Sequence, residues 1–201
     1  MGGSAGGLNT GFRVTKEYVM REIAAGLFMS LDGVAERPDR WMGRYWSDEM
    51  TEGINESLAA SDAVLMGKDT YLAFEQLWKP QGDSNPMAAF LNGTHKYVVS
   101  STLDEATLTW PGTSLITGDI AGEITRLKEG PGKTIRVPGS PKLVQWLLAE
   151  GLLDELALNI MPLVAGEGTK LFEDIGKEIP LTLTRANPLK TGVIGAVYTR
   201  A

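Results

Sequence analysis

Short apolar runs alternating with stretches of helical spacing constrain this chain more than any other feature it has. "REIAAGLFMSLDGVA" supplies a first strand over residues 22–29, closed by the polar turn Ser30-Leu31-Asp32-Gly33. A loop rich in Trp and Arg, "ERPDRWMGRYW", follows. Ser47 is then placed as a helix N-cap, with Asp48 and Glu49 in the first turn, where the helix dipole favours anions. Trp46, Met50, Ile54 and Leu58 recur every four residues and lay one apolar stripe along that helix. "AVLM" is a second strand, and "DTYLAFEQLW" resumes helical spacing through Tyr71, Phe74 and Trp78. "KPQGDSNP" breaks the pattern before a short helix over residues 87–91.

The second half continues the alternation. "KYVVSS" is a third strand and "SLIT" a fourth; Asp119 then starts a helix carrying Ile120, Ile124 and Leu127, stopped by Gly130. "KTIRVPGS" is a fifth strand running into a Pro-Gly-Ser turn. Ser140 as N-cap and Pro141 at the first helical position open "PKLVQWLLAE", which Gly151 ends. "DELALNIMPLVAG" is a sixth strand, and "PLTLTRANPLKTGVIGAVYTR" reads as two strands around a turn. Strands alternating with helices and then a terminal hairpin predict an α/β fold, with a mostly parallel mixed sheet and antiparallel strands at one side. A chain of 201 residues suits one such domain, expected over residues 21–201. The glycine-rich opening "MGGSAGGLNTGF" has neither the basic nor the apolar region of a signal peptide. Residues 1–20 are accordingly expected to be a flexible tail or expression remnant, and the protein cytoplasmic.

Composition removes several kinds of function. A net charge of −6 argues against a general nucleic-acid binder, and no apolar run approaches the ~20 residues of a membrane span. With no cysteine there is no thiolate nucleophile, disulfide or Cys-ligated zinc. One histidine, His95, makes a His-rich metal site or a Ser-His-Asp triad a poor fit, and it reads as a surface residue beside a strand start. No metal site is expected.

In a parallel sheet the carboxyl ends of the strands form one edge, where crevices bind ligands. The tips in chain order are Gly67-Lys68-Asp69-Thr70, Ser100-Ser101-Thr102 and Pro138-Gly139-Ser140. The third is the most informative, because a glycine before a helix start lets a pyrophosphate approach free N–H groups and the helix dipole. The second tip adds hydroxyl donors, and the first a cation and Thr70. Together they suit an elongated phosphorylated ligand such as a dinucleotide. Any one of them alone is more often a plain loop.

The segments "MSLDGV" (29–34), "LMGKDTY" (65–71), "KYVVSSTL" (96–103), "VPGSPKLVQWLLAEGLLDELALNIMPLVAGEGTKLF" (137–172) and "GVIGAVYTR" (192–200) resemble the dihydrofolate reductase-like fold. The likeness is nearest to stand-alone relatives of the reductase domain of the bifunctional riboflavin-biosynthesis deaminase–reductase. That resemblance implies a three-layer α/β/α fold, an NADPH cofactor, a homodimer and hydride transfer to a small pterin- or pyrimidine-like substrate. By similarity, Gly67, Lys68 and Thr70 occupy a Gly-Arg-x-Thr site for the cofactor phosphates, with lysine in place of arginine. Ser100, Ser101 and Thr102 match the tip flanking the adenosine 2′-phosphate, and Gly139 and Ser140 the turn under the pyrophosphate. Pro138 stands where dihydrofolate reductases carry the first glycine of a Gly-Gly pair. The loop from Asp32 to Ala35 would lie beside the nicotinamide, with Asp32 orienting substrate or relaying a proton.

Trp41 and Trp46 offer planar surfaces for a heterocycle, and Asp48, with Glu49 and Glu52, is near the place where dihydrofolate reductases hold their pteridine with a carboxylate; the alternative is that the three form a solvated helix face. A deaminase partner is absent, since the zinc-deaminase pattern requires cysteines. The Lys68 and Pro138 departures leave open a relative that binds nucleotide without catalysis. FMN binding is a third possibility.

Overall fold

The computed structural model describes residues 20–201. The expected tail, apart from Met20, lies outside the described residues. In chain order the elements are β1 (Ile23–Ser30), α1 (Asp48–Ala59), β2 (Ser61–Gly67), α2 (Lys68–Trp78), α3 (Pro86–Gly93), β3 (His95–Val99), β4 (Thr113–Ile116), α4 (Ile120–Glu129), β5 (Thr134–Val137), α5 (Pro141–Glu150), β6 (Glu155–Met161), β7 (Leu181–Pro188) and β8 (Ile194–Arg200). One eight-stranded sheet runs in the order β4-β3-β2-β5-β1-β6-β8-β7. Every neighbouring pair from β4 to β6 is parallel. The β6–β8 and β8–β7 pairs are antiparallel. The expected α/β/α architecture with a terminal hairpin is present.

Period-two alternation sorts the strand side chains between two helical layers. Ile23, Ala25, Leu27 and Met29 of β1 face the side where α5 presents Leu143, Val144, Leu147 and Leu148, and α4 presents Ile124. Leu147 is fully buried; truncation of such a leucine to alanine costs ~2–5 kcal/mol. On the opposite face Val64, Met66 and Val98 pack with Tyr71, Leu91 and Trp110, while Met50 of α1 packs with Met161 and Val193. The stripe read along α1 holds at Met50 and Leu58, both buried, and fails at Trp46, which is 43% exposed. Trp46 precedes the Ser47 cap, so the helical spacing does not reach it. Its indole N–H donates to Thr51 Oγ1 at 2.9 Å, and its ring lies 6.0 Å from that of Phe28.

The sheet adds the strand order within the antiparallel side, which the sequence reading left open. β6 is interior, between β1 and β8, and the first strand of the hairpin, β7, is outermost. Burial explains the order: β8 carries Ala196 and Val197, both buried, whereas β7 is exposed along nearly its whole length and ends in Pro188, which has no N–H to pair. A second finding is Lys96 of β3, which is fully buried. Its ammonium donates to the carbonyls of Leu91 at 2.8 Å and Thr94 at 2.6 Å, and lies 4.8 Å from the Trp110 ring centroid. A cation thus satisfies the carboxyl end of α3, a position where the helix dipole favours positive charge. Burial pushes its pKa down to about 8.

Candidate functional site

The tips singled out in the sequence end β2, β3 and β5. These strands are parallel neighbours with β2 in the middle, so the three tips share one edge. Side chains then join them. Lys68 Nζ donates to Thr102 Oγ1 at 3.0 Å, which links the β2 tip to the β3 tip. Ser100 Oγ accepts from the backbone N–H groups of Thr102 and Leu103, each at 3.1 Å, and so folds the β3 tip into a tight turn. Ser101 is exposed beside them. On the other flank Ser140 Oγ accepts from Gly67 N at 2.9 Å and donates to Thr70 Oγ1 at 2.5 Å, linking the β5 tip to β2. A Cβ on Gly67 would stand 2.9 Å from Ser140 Oγ, so this contact needs the glycine. Gly139 lies alongside, where an added Cβ would sit 3.5 Å from Thr70 Cγ2.

The Ser140 contacts correct one expectation. Ser140 does precede α5, but at φ 64° and ψ 78°, and its side chain makes no capping hydrogen bond. The hydroxyl turns away from its own helix toward β2. A left-handed serine is strained by ~1–2 kcal/mol, and the two hydrogen bonds to the β2 tip hold it there. One consequence reaches beyond this residue. Helix α1 is capped by Ser47, α3 by Asn85 and α4 by Asp119, each side chain accepting a backbone N–H of the first turn. Helices α2 and α5, whose amino ends meet at the Ser140–Thr70 contact, have no side-chain cap. Their first-turn donors and the positive ends of two dipoles face one edge of the sheet, with the Lys68 ammonium beside them. That is the donor set for an anion.

Asp32 sits at the β1 tip, on the same edge. Its Oδ1 accepts from Ser30 Oγ at 2.6 Å and from Ala165 N at 2.9 Å, and its Oδ2 accepts from Gly166 N at 2.9 Å. These bonds, the one from Ser30 first, hold the carboxyl well below the usual carboxylate range. An acid so stabilised as its anion does not donate a proton near neutrality, so a proton relay through Asp32 does not fit. What it does is fasten the segment 163–171 to the end of β1. Glu36 repeats the device: its Oε2 accepts from Thr169 N and from Thr169 Oγ1, both at 2.8 Å, and these bonds lower its pKa. A bridge between Val34 and Lys170 completes the strap. Glu36 was not singled out in the sequence. The signal for it was the "GEGTK" run, whose Gly166 and Gly168 both take positive φ.

The remaining candidates are spread around this end. Ala35 is buried in the core and gives its N–H to Thr169 O at 3.0 Å, so only its backbone borders the edge. Trp41 packs with Met50, Met161 and Val193. Trp46 is half exposed beside Phe28, and Asp48 is exposed in the first turn of α1. His95 is exposed at the amino end of β3, away from the tips, with Nε2 3.0 Å from Ser114 Oγ. Among the described residues no three His, Cys, Asp or Glu side chains cluster as metal ligands, and no helix is long and apolar enough to cross a membrane.

Comparison with known proteins agrees with this geometry. The family model described as "RibD C-terminal domain" matches residues 21–194. The uncharacterized protein YyaP of Bacillus subtilis is 29% identical over 188 residues, which cover 92% of this chain and 98% of YyaP. Among solved structures, a putative riboflavin biosynthesis protein from Shewanella sp. PV-4 superposes with a TM-score of 0.73 at 18% identity, covering 90% of this chain and 99% of that one. Dihydrofolate reductase from Enterococcus faecalis, solved with NADP(H), superposes with a TM-score of 0.59 at 15% identity, covering 89% and 96% of the two chains. The fold is therefore dihydrofolate reductase-like.

Proposed function

The chain belongs to the RibD C-terminal domain family, and from that premise we propose that it is an NADPH-dependent reductase of a small, pterin- or pyrimidine-like heterocycle. One observation carries the reading: among the described residues, α2 and α5, the helices that start directly at the β2 and β5 tips, have no side-chain cap, whereas α1, α3 and α4 each have one. Uncapped N–H donors from α2 and α5, the Lys68 ammonium and the close backbone at Gly139 fit a pyrophosphate and its neighbouring phosphate. Ser140 and Thr70 serve this site by holding its two halves together. Ser101 and Thr102 supply hydroxyls on the Lys68 side. Lysine at position 68 keeps the charge that favours a 2′-phosphate, without the bidentate fork of arginine.

When bound, NADPH supplies a hydride to an electrophilic carbon; the chain's own work is binding, orientation and exclusion of water. The strap held by Asp32 and Glu36 fixes the segment 163–171 over the β1 tip. Trp46, with one face open beside Phe28, gives a planar heterocycle a surface to stack on. Asp48, exposed at the start of α1, offers a carboxylate to hold an amino-pyrimidine edge. The same reading carries a cytoplasmic homodimer. The open edge strand β7 and the exposed Leu183 and Ile194, on the α5 side of the hairpin, provide the face between copies.

Titrating the purified protein with NADPH, followed by its five tryptophans and by calorimetry, tests the first step. Saturable binding with loss of nicotinamide absorbance on adding a pterin or pyrimidine is expected. Absence of binding at millimolar cofactor rejects the reading. A second reading, nucleotide binding without hydride transfer, is favoured by the spent Asp32 carboxylate. Saturable binding with no turnover of any substrate in the panel selects it.

A further inference from the structure

A second polar site lies under α1, toward the amino ends of the strands and away from the tip edge. Arg136 of β5 points to the α1 side of the sheet. Register places it beside Ala24 of β1, and Ala24 in turn beside Glu155 of β6. Same-face residues on alternate strands are ~9–10 Å apart, so a cation and an anion stand on either side of a floor made by one methyl group. They do not close on each other: among the described residues neither forms a salt bridge or a side-chain hydrogen bond. Between them is a cavity of about 260 Å³, which also takes in Glu56, Ser57 and Arg185.

Two further features show that the space is built into the chain. The guanidinium lies over Gly26 in the middle of β1, where any Cβ would run into Nη2 and stand 3.0 Å from Cζ. Glycine weakens a strand interior, and it often marks a close approach of another group. On the roof, Gly53 of α1 leaves open space, since a Cβ there would meet nothing within 4 Å. Arg136 is partly buried, and that burial lowers its pKa, against the pull of Glu155. The guanidinium donors have no protein acceptor among the described residues, which leaves them free to pair with a ligand carboxylate in the cavity.

We propose that this cavity binds a small zwitterion, its carboxylate paired with Arg136 and its ammonium facing Glu155. Arg185, Glu22 and Glu56 add further charge at the walls, so the lining holds two guanidinium groups and three carboxylates, and a molecule carrying both signs is favoured over a simple anion. The volume lies below the ~300–1,000 Å³ of sites for drug-sized ligands, and so fits a molecule of amino-acid size. The site is separate from the tip edge and does not depend on the reductase reading.

The test is calorimetric titration of the full chain with glycine, β-alanine and γ-aminobutyrate, zwitterions of increasing length, with acetate and methylammonium as half-ligands. At least one zwitterion is expected to saturate at one per chain, at least ~10-fold tighter than either half-ligand. Arg136→Met and Glu155→Gln are each expected to weaken that binding at least ~10-fold while NADPH titration is unchanged. Glu155→Gln keeps the test open if Arg136→Met does not fold. No saturation by any of the three zwitterions, acetate binding as tightly as the best of them, or parent-like affinity in Glu155→Gln would each overturn the proposal.

Discussion

Replacing Ser140 with alanine removes the side chain that, among the described residues, ties the β5 tip to the β2 tip. The hydroxyl accepts from Gly67 N and donates to Thr70 Oγ1, so the variant strands a backbone donor and frees a threonine. A lost partner of this kind costs ~1–3 kcal/mol, and the half-exposed position of Ser140 puts the expected loss at ~1–2 kcal/mol. Ser140→Ala keeps the left-handed strain, because alanine at φ 64° is no better placed than serine. Ser140→Gly loses the same two hydrogen bonds but relieves that strain, and should be ~1 kcal/mol more stable than the alanine variant. Urea unfolding at equal m-values reads both differences, which correspond to ~2–4 °C in Tm per kcal/mol for a chain of this size. Parent-like stability of Ser140→Ala, or an alanine variant as stable as the glycine variant, would refute the latch.

Other expected outcomes follow from the same geometry. Lys68→Ala should weaken NADPH binding by roughly 10-fold and flatten its salt dependence, while Lys68→Arg retains affinity, both read by fluorescence titration. The lowered pKa values of Asp32 and Glu36 mean that the strap is secure above the ordinary carboxylate range and loosens as pH falls through their folded-state values. On acidification the Ala165 and Gly166 amide resonances should therefore follow Asp32 and that of Thr169 should follow Glu36, and Asp32→Asn should shift those of Ala165 and Gly166 already at neutral pH. Lys96 titrates at about 8 in the fold against 10.5 in its absence, so the unfolded chain binds the extra proton between those values and stability rises with pH across that window. Lys96→Met should remove that rise in unfolding free energy. Light scattering should give a dimer mass for the parent and a lower mass for Leu183→Lys.

Local signals made most of the framework readable. Ser47 and Asp119 start helices and Gly151 ends one in the structure as their residue types predict, and the buried side chains of β1 follow the alternation of its sequence. The strand tips were also legible, because glycine, hydroxyls and a lysine closed successive apolar runs. What escaped was non-local. Ser140 obeys the pattern of a cap, yet bonds to residues about 70 positions away, and no local rule anticipates that. Asp32 reads as a reactive carboxylate until the segment at Ala165 and Gly166 folds onto it. Lys96 and Arg136 sit in the short strands "HKYVV" and "TIRV", where a charged residue in an alternating run reads as solvent-facing. Helices packed on both faces of the sheet leave neither face free, so Lys96 is fully buried and Arg136 is partly covered under α1. Gly26, a glycine in mid-strand, was the one visible sign of the second.

The central claim is that the uncapped starts of α2 and α5, joined by Ser140, receive the phosphates of one dinucleotide. Amide chemical-shift mapping of the full chain on addition of NADPH tests it most directly. The account predicts the largest changes at Lys68, Asp69 and Thr70, at Gly139, Ser140 and Lys142, and at Ser101 and Thr102. Saturating shifts confined to other parts of the molecule, or none at all, would contradict it.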